Sequence, residues 1–260
     1  MSRAAMARFT TVLWDVDNTL LDFSCSQQQA LTQCFRSMGR EITGEQIALY
    51  VRINDDYWKR LELGEVTKKQ LLTGRFLLLF EKLGIEGVDI EAFNEGYQAA
   101  LGSVYAFLDD SLDICKSLRG KVRQYVVTNG VTSTQRNKLE LSGLAEVMDG
   151  IFISEQVGSP KPSPVFFDYC LEHIEEKDRS RILIVGDSLT SDIKGGIQAG
   201  IATCWYHRAA DKETDRTDAE LSAAYKPDYV IDDLHKVREI VLGESMEKQK
   251  GAESDAGIPV

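Results

Sequence analysis

The chain has 260 residues, of which 43% are apolar and 27% charged, and its formal net charge is −11 at pH 7. This composition is typical of a globular protein and excludes a largely disordered one, and the length allows a large core with a smaller inserted unit. The acidic balance argues against binding to nucleic-acid polymers or to anionic membranes. An anionic small molecule would therefore need a local positive site, such as a metal ion.

The cysteines and the apolar runs bear on the cellular compartment. Five cysteines occur, an odd number, without a CxxC motif and without a histidine nearby in a zinc-ligand pattern. We expect reduced, mostly buried thiols rather than disulfides or a zinc site. No long apolar leader precedes the first strand pattern, and no apolar run has the length of a membrane span. These features predict a cytoplasmic protein, and they leave the oligomeric state open.

The first predicted strand, residues 11–14, is followed at once by DVDNT at residues 15–19. Alternate side chains of an extended segment point the same way, so Asp15 and Asp17 can face one small site. One carboxylate could attack an electrophile while the other moves protons. A strand that ends in an Asp/Asn turn is the simpler interpretation, and these five residues do not decide between the two.

Helical patterns without an intervening strand occupy the chain after this motif. Thr43 and Thr67 each begin a TxxQ capping box, and an apolar stripe of helical spacing follows Thr67. The predicted helices cover residues 26–38, 44–63, 68–83 and 89–105. We expect residues 23–107 to form a helical-bundle cap domain over the carboxyl end of the first strand.

The remaining sequence alternates short β-branched runs with helical patterns, which is typical of a doubly wound parallel sheet in an α/β fold. The predicted strands cover residues 11–14, 124–127, 151–153, 181–185, 201–206 and 229–231. Residues 1–22 and 108–243 are therefore predicted to form a Rossmann-like core domain, and residues 244–260 a disordered tail. Ligands of such sheets bind at the carboxyl ends of the strands, where polar residues should converge.

Two of these strand ends carry candidate phosphate ligands. Thr128 and Asn129 close the second core strand, where a hydroxyl and backbone amides could bind a phosphate; an ordinary helix-capping turn is the alternative. Lys161 lies in the proline-rich segment SPKPSP, and a rigid loop could hold its charge in place. A solvated lysine in a turn is the alternative, because most lysines are exposed.

A further strand end, after residues 181–185, carries Asp187 and Asp192. Asp187 could join Asp15 and Asp17 around Mg²⁺, because close carboxylates repel one another and a hard cation with oxygen ligands relieves that repulsion. Alternatively, Asp187 could cap the helix that follows it. Asp192 fits a place near the metal and a helix-dipole contact equally well.

Taken in order, DVDNT at 15–19, TN at 128–129, KP at 161–162 and the GD…D pattern at 186–192 resemble the four motifs of the haloacid dehalogenase superfamily. The resemblance covers residues 9–207, with the helical insert in the place of a C1-type cap. Within the superfamily, the core resembles the YjjG-type 5′-nucleotidases, which act on pyrimidine and noncanonical nucleotides. The resemblance implies an enzyme that hydrolyses a small-molecule phosphate monoester.

The resemblance also implies a role for each motif residue. Asp15 would attack phosphorus and form an aspartyl-phosphate, while Asp17 would protonate the leaving oxygen and then activate water. Mg²⁺ would be bound by the Asp15 side chain, the Asp17 backbone carbonyl and the Asp187 side chain.

The other motif residues would bind the phosphate or support those that do. Thr128, the Asn129 backbone and Lys161 would bind the phosphate oxygens, and Ser188 and Asp192 would orient their neighbours.

The implied substrate is a nucleoside 5′-monophosphate, but other functions stay open. A phosphatase or mutase of small sugar phosphates would use the same core with a different cap, and an inert binding module would use none of the chemistry. The dehalogenase branch lacks the carboxylate found here at Asp17, so the resemblance favours phosphoryl chemistry.

Candidate substrate contacts in the cap are less specific. Arg75 could bind a polar group of the substrate, and Tyr57 or Trp58 could stack on a base. A solvated helix arginine and aromatic residues of the cap core are the more common interpretations. Asp22 and Phe23 lie where the chain crosses into the cap, and they fit a substrate contact or a plain linker.

Overall fold

A computed structural model describes residues 7–208 and 216–243, and its centre is a six-stranded parallel sheet in the order β3-β2-β1-β4-β5-β6. The strands are β1 (Thr11–Trp14), β2 (Arg123–Thr128), β3 (Gly150–Ile153), β4 (Ile182–Gly186), β5 (Ala202–Tyr206) and β6 (Tyr229–Ile231). All six lie within one residue of their predicted positions, so the predicted doubly wound α/β fold is confirmed. The predicted disordered tail, residues 244–260, lies outside the described residues.

The strand order reverses at β1, which pairs with β2 on one side and β4 on the other. The connections to β2 and β3 run one way from β1, and the chain then crosses back to β4. The carboxyl ends of β1 and β4 therefore face the switch point, where ligands of open α/β sheets bind.

Alternate side chains of β1 enter two different hydrophobic cores. The helices that flank the sheet are α5 (Ser111–Leu118), which precedes β2, and α6 (Thr132–Leu141), α7 (Ser154–Val157), α8 (Pro164–His173), α9 (Lys194–Ala199), α10 (Arg216–Tyr225) and α11 (His235–Leu242), which follow it. Val12 and Trp14 pack on the face covered by α5, α6 and α11, and Leu13 packs on the face covered by α8 and α9. Because both faces are covered, β1 is buried over its whole length.

Four helices between β1 and β2 form the helical insert: α1 (Phe23–Ser37), α2 (Gly44–Glu62), α3 (Lys68–Leu83) and α4 (Ile90–Gly102). Both predicted capping boxes are confirmed; the Thr43 hydroxyl accepts a hydrogen bond from the Gln46 N–H at 3.3 Å. Helix α1 begins three residues earlier than predicted because Asp22 caps it, accepting from the Cys25 N–H at 2.8 Å. Helix α4 ends at Gly102, three residues before the predicted end at 105.

The helical insert has a hydrophobic cluster of its own, built largely from aromatic rings. The Phe76 ring centroid lies 4.9 Å from that of Phe93, 5.1 Å from that of Tyr97 and 5.4 Å from that of Tyr50. The domain boundaries stay a prediction, but the insert and the sheet each have the separate core that a domain requires.

Two antiparallel chain segments join the insert to the sheet. The Asp22 N–H donates to the Ala106 carbonyl at 2.9 Å, and the Leu108 N–H donates to the Leu20 carbonyl at 3.1 Å. These bonds fix the start of α1 beside the carboxyl end of β1.

Two further expectations concern the thiols and membranes. Four of the five cysteines are buried, as predicted, and Cys25 is half-buried. Among the described residues, no helix combines the length and the apolar character that a membrane span requires.

Candidate active site

A cavity of about 170 Å³ lies between the carboxyl ends of β1, β2 and β4 and the helical insert. The sheet side contributes every core residue predicted for the site: Asp15, Asp17, Thr128, Asn129, Lys161, Asp187, Ser188 and Asp192. The insert side contributes Phe23, Asn54, Asp55, Trp58 and Glu62. Residues far apart in the sequence therefore meet at the switch point of the sheet, as predicted.

Lys161 is the cation at the centre of this cavity, and only 1% of its surface is exposed. Its Nζ donates to Asp15 Oδ1 at 2.6 Å, to Asp192 Oδ1 at 2.7 Å and to the Val127 carbonyl at 2.8 Å. Burial alone would lower the pKa of Lys161, but the two carboxylates raise it above its usual value. Lys161 is therefore a charged, fixed group, and the alternative of a solvated lysine is wrong.

Asn129 uses its side chain to hold the loop that carries Lys161. Its Nδ2 donates to the Lys161 carbonyl at 3.0 Å, and its Oδ1 accepts from the Lys161 N–H at 2.9 Å. The backbone, rather than the side chain, is thus the part of Asn129 that can serve a phosphate. The alternative of a helix-capping turn is wrong, because α6 begins at Thr132 with Val131 as its N-cap.

Three carboxylates form an acidic cluster: Asp15, Asp187 and Asp192 each place one oxygen within 4.8 Å of the others. Burial raises the pKa of Asp15 to about 7, with Lys161 acting against the rise. Burial, followed by repulsion from Asp15 and Asp192, also raises the pKa of Asp187 well above its usual value. Crowded oxygen donors of this kind fit a hard divalent cation, which would keep them ionised.

The loop after β4 explains how Asp187 stays available. Ser188, not Asp187, caps the short helical turn Leu189–Ile193, because its Oγ accepts from the Ser191 N–H at 3.1 Å. The alternative of Asp187 as a helix cap is therefore wrong. Asp192 uses both carboxylate oxygens, one for Lys161 and one for the Ser188 N–H at 3.2 Å. Asp192 thereby contacts both neighbours, and its role in orienting Lys161 or a metal-bound water stays a prediction.

Asp17 is held by two residues that the sequence analysis did not identify. Its Oδ1 accepts from Lys138 Nζ at 2.5 Å, and its Oδ2 accepts from Gln135 Nε2 at 2.6 Å. Both donors lie three residues apart on α6, and Lys138 is fully buried. A polar pair at helical spacing on one face of α6 was the available signal, but it does not reveal which carboxylate it meets.

The residues proposed as cap contacts fall into two groups. Phe23 and Trp58 line the cavity, so the assignment of Trp58 to the cap core is wrong. Arg75 and Tyr57 do not line it. Arg75 is 1% exposed and donates from Nη1 to Asn54 Oδ1 at 2.6 Å, so it is neither a solvated arginine nor a direct wall of the cavity. The Arg60 guanidinium lies over the Tyr57 ring, with its Cζ 5.1 Å from the centroid of that ring.

Polar contacts of Lys68 and Glu62 join the insert to the core beside the cavity. Lys68 Nζ donates to the Asn129 carbonyl, and the Thr190 hydroxyl donates to Glu62 Oε2. Burial lowers the pKa of Lys68 to about 8. Burial has the opposite effect on an acid, and it raises the pKa of the Glu62 carboxyl. Each contact lies at one end of a helix of the insert, so together they fix α2 and α3 against the sheet.

Comparison with known proteins agrees with this geometry. The chain is 37% identical over 200 residues to the HAD-hydrolase YfnB of Bacillus subtilis, a match that covers 77% of this chain and 85% of YfnB. It is 32% identical over 233 residues to the pyrimidine 5′-nucleotidase YjjG of Escherichia coli, covering 88% and 96% of the two chains. The match to the pyrimidine 5′-nucleotidase PynA of Streptococcus pneumoniae is 36% over 197 residues, covering 75% and 83%.

The magnesium-bound crystal structure of YfnB has the same fold, with a TM-score of 0.80 at 33% identity, and covers 90% of this chain and 99% of YfnB. The family model of the haloacid dehalogenase-like hydrolases matches residues 9–200. This protein is an enzyme that belongs to the haloacid dehalogenase-like hydrolases.

Proposed function

We propose that the protein is a Mg²⁺-dependent phosphomonoesterase that hydrolyses nucleoside 5′-monophosphates through an aspartyl-phosphate on Asp15. The observation that carries the proposal is a second carboxylate, Asp17, which lines the same cavity as Asp15 and is held there by Lys138 and Gln135. An oxygen leaving group needs a proton, and Asp17 is the group placed to supply it. A dehalogenase has no such need.

The first step is attack by Asp15. A carboxylate oxygen of Asp15 forms a bond to phosphorus, the ester P–O bond breaks, and the proton of Asp17 passes to the leaving oxygen. In the second step, water loses a proton to Asp17 and attacks the same phosphorus, which releases inorganic phosphate and restores the Asp15 carboxylate. Two displacements of this kind are each easier than direct attack by water.

The phosphate oxygens would be bound by the Thr128 hydroxyl, the Asn129 backbone N–H and the Lys161 ammonium, which would exchange one of its carboxylate bonds for the phosphate. Thr128 Oγ1 accepts from the Gly130 N–H at 3.1 Å, which leaves its own proton free to be donated. These donors are fixed before substrate arrives, and preorganised donors stabilise the charge that develops on a transferred phosphoryl group.

The Asp15 and Asp187 side chains and the Asp17 backbone carbonyl would bind Mg²⁺. Bound there, the ion would neutralise charge between the attacking carboxylate and the phosphate. The acidic cluster supports this assignment, as does the magnesium in the YfnB crystal structure. Asp192 also belongs to the acidic cluster, and its two oxygens accept from Lys161 and from the Ser188 N–H, which fits a role in orienting its neighbours.

We further propose that residues 23–107 act as a mobile cap. The cavity of about 170 Å³ is smaller than the roughly 300–1,000 Å³ typical of ligand pockets. Movement of the insert away from the sheet would make room for a nucleotide. Lys68 and Glu62 make polar contacts beside the cavity that would break in that opening. The magnesium-bound YfnB crystal structure reveals interdomain movement, which supports the proposal.

The preference for nucleotides is supported by the relatives and by the insert wall. YjjG and PynA are pyrimidine 5′-nucleotidases, and Trp58 and Phe23 offer aromatic faces for a base. A cytoplasmic location and the absence of binding to nucleic-acid polymers stay predictions.

The test is phosphate release with Mg²⁺ from uridine 5′-monophosphate, adenosine 5′-monophosphate, ribose 5-phosphate and phosphoglycolate. We expect the highest kcat/KM for a nucleotide, and a clear preference for ribose 5-phosphate or phosphoglycolate would replace the nucleotide proposal. Asp15→Asn should abolish phosphate release, with a fall of at least about 10⁴-fold, while the melting temperature is retained.

The matched control for this variant is Asp22→Asn, which makes the same change at a helix cap outside the cavity. Turnover that survives Asp15→Asn would rule out Asp15 as the nucleophile. Failure of the folded wild type with Mg²⁺ to form a hydroxylamine-sensitive phosphoenzyme would favour an inert binding module.

A further inference from the structure

The insert wall of the cavity contains a hydrogen-bond donor without a partner. Asn54 on α2 is fully buried and lines the cavity, and among the described residues its Nδ2 has no acceptor within hydrogen-bond distance. The carboxylate of Asp55, which lines the same cavity, is close enough for Asn54 to act against the rise that burial causes in the pKa of Asp55. The oxygen of the Asn54 side chain, Oδ1, accepts from Arg75 Nη1 at 2.6 Å. A buried N–H group left without an acceptor costs about 1–3 kcal/mol, so this donor needs an explanation.

Arg75 fixes which way the Asn54 amide points. A guanidinium only donates hydrogen bonds, so it must face the oxygen of the amide and never its NH₂ group. The O and N positions of this asparagine are therefore determined by chemistry, because the flipped amide would place N–H against N–H. The NH₂ group therefore faces away from the Arg75 guanidinium, on a residue that lines the cavity.

Arg75 is a buried cation without an anion. Among the described residues, no carboxylate lies within ion-pair distance of it. Its contacts are Asn54, Asn94 Oδ1 at 3.4 Å from Nη2, and the rings of Phe76 and Tyr97, whose centroids lie 4.7 and 5.1 Å from Cζ. Burying a charge without a counter-ion costs several kcal/mol. A charge kept there polarises the Asn54 amide through its oxygen, which strengthens the NH₂ group as a donor.

We propose that Asn54 is a specificity-determining residue, whose NH₂ group donates to an acceptor on the nucleoside leaving group, a base carbonyl or ring nitrogen. Arg75 is a positioning residue that acts through Asn54. The inference rests on the proposed function and adds a determinant of substrate choice to it. It also replaces the expectation that Arg75 itself contacts the substrate.

The neighbourhood of Asn54 favours the leaving group over the phosphate as the acceptor. The predicted phosphate ligands belong to the sheet, whereas Asn54 belongs to the opposite wall. Asn54 and Trp58 are four residues apart on α2 and both line the cavity, so they share one face of the helix. An aromatic face beside a fixed donor is the combination that binds a planar heterocycle, by stacking and by a hydrogen bond to its edge.

The test is the ratio of kcat/KM for uridine 5′-monophosphate to kcat/KM for phenyl phosphate, whose leaving group carries no base. Asn54→Asp retains an oxygen for Arg75 and removes both N–H donors, so the fold should survive. The added negative charge affects both substrates and cancels in the ratio. We expect the ratio to fall about tenfold or more, since a hydrogen bond from a polarised donor contributes about 1.5 kcal/mol or more.

Two further variants check how the effect arises. Arg75→Met releases the Asn54 amide and should lower the same kcat/KM ratio. In the double variant Asn54→Asp, Arg75→Met, the ratio should fall no further than it does in the single variant with the larger effect. Asn137→Asp is the matched control, because it makes the same substitution outside this cavity, at an asparagine that bonds the Gly102 carbonyl and does not contact Arg75. The control ratio should stay within twofold of the wild type.

The outcomes separate this inference from the proposed function. A ratio within twofold of the wild type in folded Asn54→Asp would overturn the role of Asn54 while phosphatase activity stands. If Asn54→Asp melts early, Asn54→Ala at a temperature where it is folded must show the same fall in the ratio, and its absence would also overturn the inference. A wild type that releases phosphate from neither substrate would overturn the proposed function itself.

Discussion

The two walls of the cavity differ in how their charged groups are paired. On the sheet side, Lys161 pairs with Asp15 and Asp192, and Lys138 pairs with Asp17. On the insert side, and among the described residues, Arg75 has no carboxylate within ion-pair distance, and the NH₂ group of Asn54 has no acceptor within hydrogen-bond distance. Paired groups of this kind are held in place for one reaction. The unpaired groups of the insert are the ones that a ligand could complete, which is the basis of the proposal that Asn54 contributes to substrate choice.

The hydrophobic packing of the sheet also differs from that of the insert. The sheet is packed mainly with aliphatic side chains, whereas the core of the insert is rich in aromatic rings: Phe35, Tyr50, Phe76, Phe80, Phe93 and Tyr97. The face of an aromatic ring attracts a cation, and an aliphatic side chain does not. The aromatic core is thus the physical reason why the insert can hold the Arg75 charge without an anion.

The largest effect is expected on the paired wall, for Lys161→Met. This variant leaves Asp15 and Asp192 buried without their shared cation, so we expect a loss of at least about 10³-fold in kcat/KM for every phosphate ester. The melting temperature without Mg²⁺ should also fall, and added Mg²⁺ should restore more of it in the variant than in the wild type.

The control for that variant is Lys177→Met, a lysine that donates only to backbone carbonyls at the end of α8. If activity survives Lys161→Met, charge pairing on the sheet side is not what prepares the site.

A smaller and more selective loss is expected for Lys138→Met, which frees one oxygen of Asp17. We expect kcat/KM for uridine 5′-monophosphate to fall about 100-fold, because the sugar oxygen needs a proton to leave. The fall for p-nitrophenyl phosphate should be less than tenfold, since its leaving group departs without one. Steady-state kinetics with both substrates measures the difference, and equal losses would mean that Lys138 supports the fold rather than the acid function of Asp17.

The smallest effect is expected at the contact between the walls, for Glu62→Ala. Its bonds to Thr190 and Ser188 join α2 to the loop after β4, and a contact of this kind contributes about 1 kcal/mol. Hydrogen exchange at the carboxyl end of α2 should therefore accelerate about fivefold. Glu65→Ala, which removes an exposed ion pair to Arg60, is the control and should leave that exchange unchanged. Equal exchange rates in both variants would remove Glu62 as a contact that closes the insert.

Much of the sheet side was predictable from the sequence because its signals are local. A buried β-branched run followed at once by polar residues marks both a strand and its carboxyl end, so the sites of Asp15, Thr128 and Asp187 follow from the sheet rule alone. The capping boxes of α2 and α3 are also local, and both formed as predicted. The start of α1 was missed because a helix cap at Asp22 and a linker aspartate have the same sequence signal.

The sequence by itself determined the α/β order, the helical insert and the residues that gather at the strand ends, because periodicity and strand-end chemistry act over a few residues. Only the tertiary structure decided that Lys138 and Gln135 hold Asp17 and that Arg75 directs Asn54, since these partners lie about 20 to 120 residues apart. The tertiary structure also places Arg75 behind the cavity wall, where it contacts Asn54, rather than in the wall itself. A side chain's partner depends on how helices pack, and no local pattern contains that information.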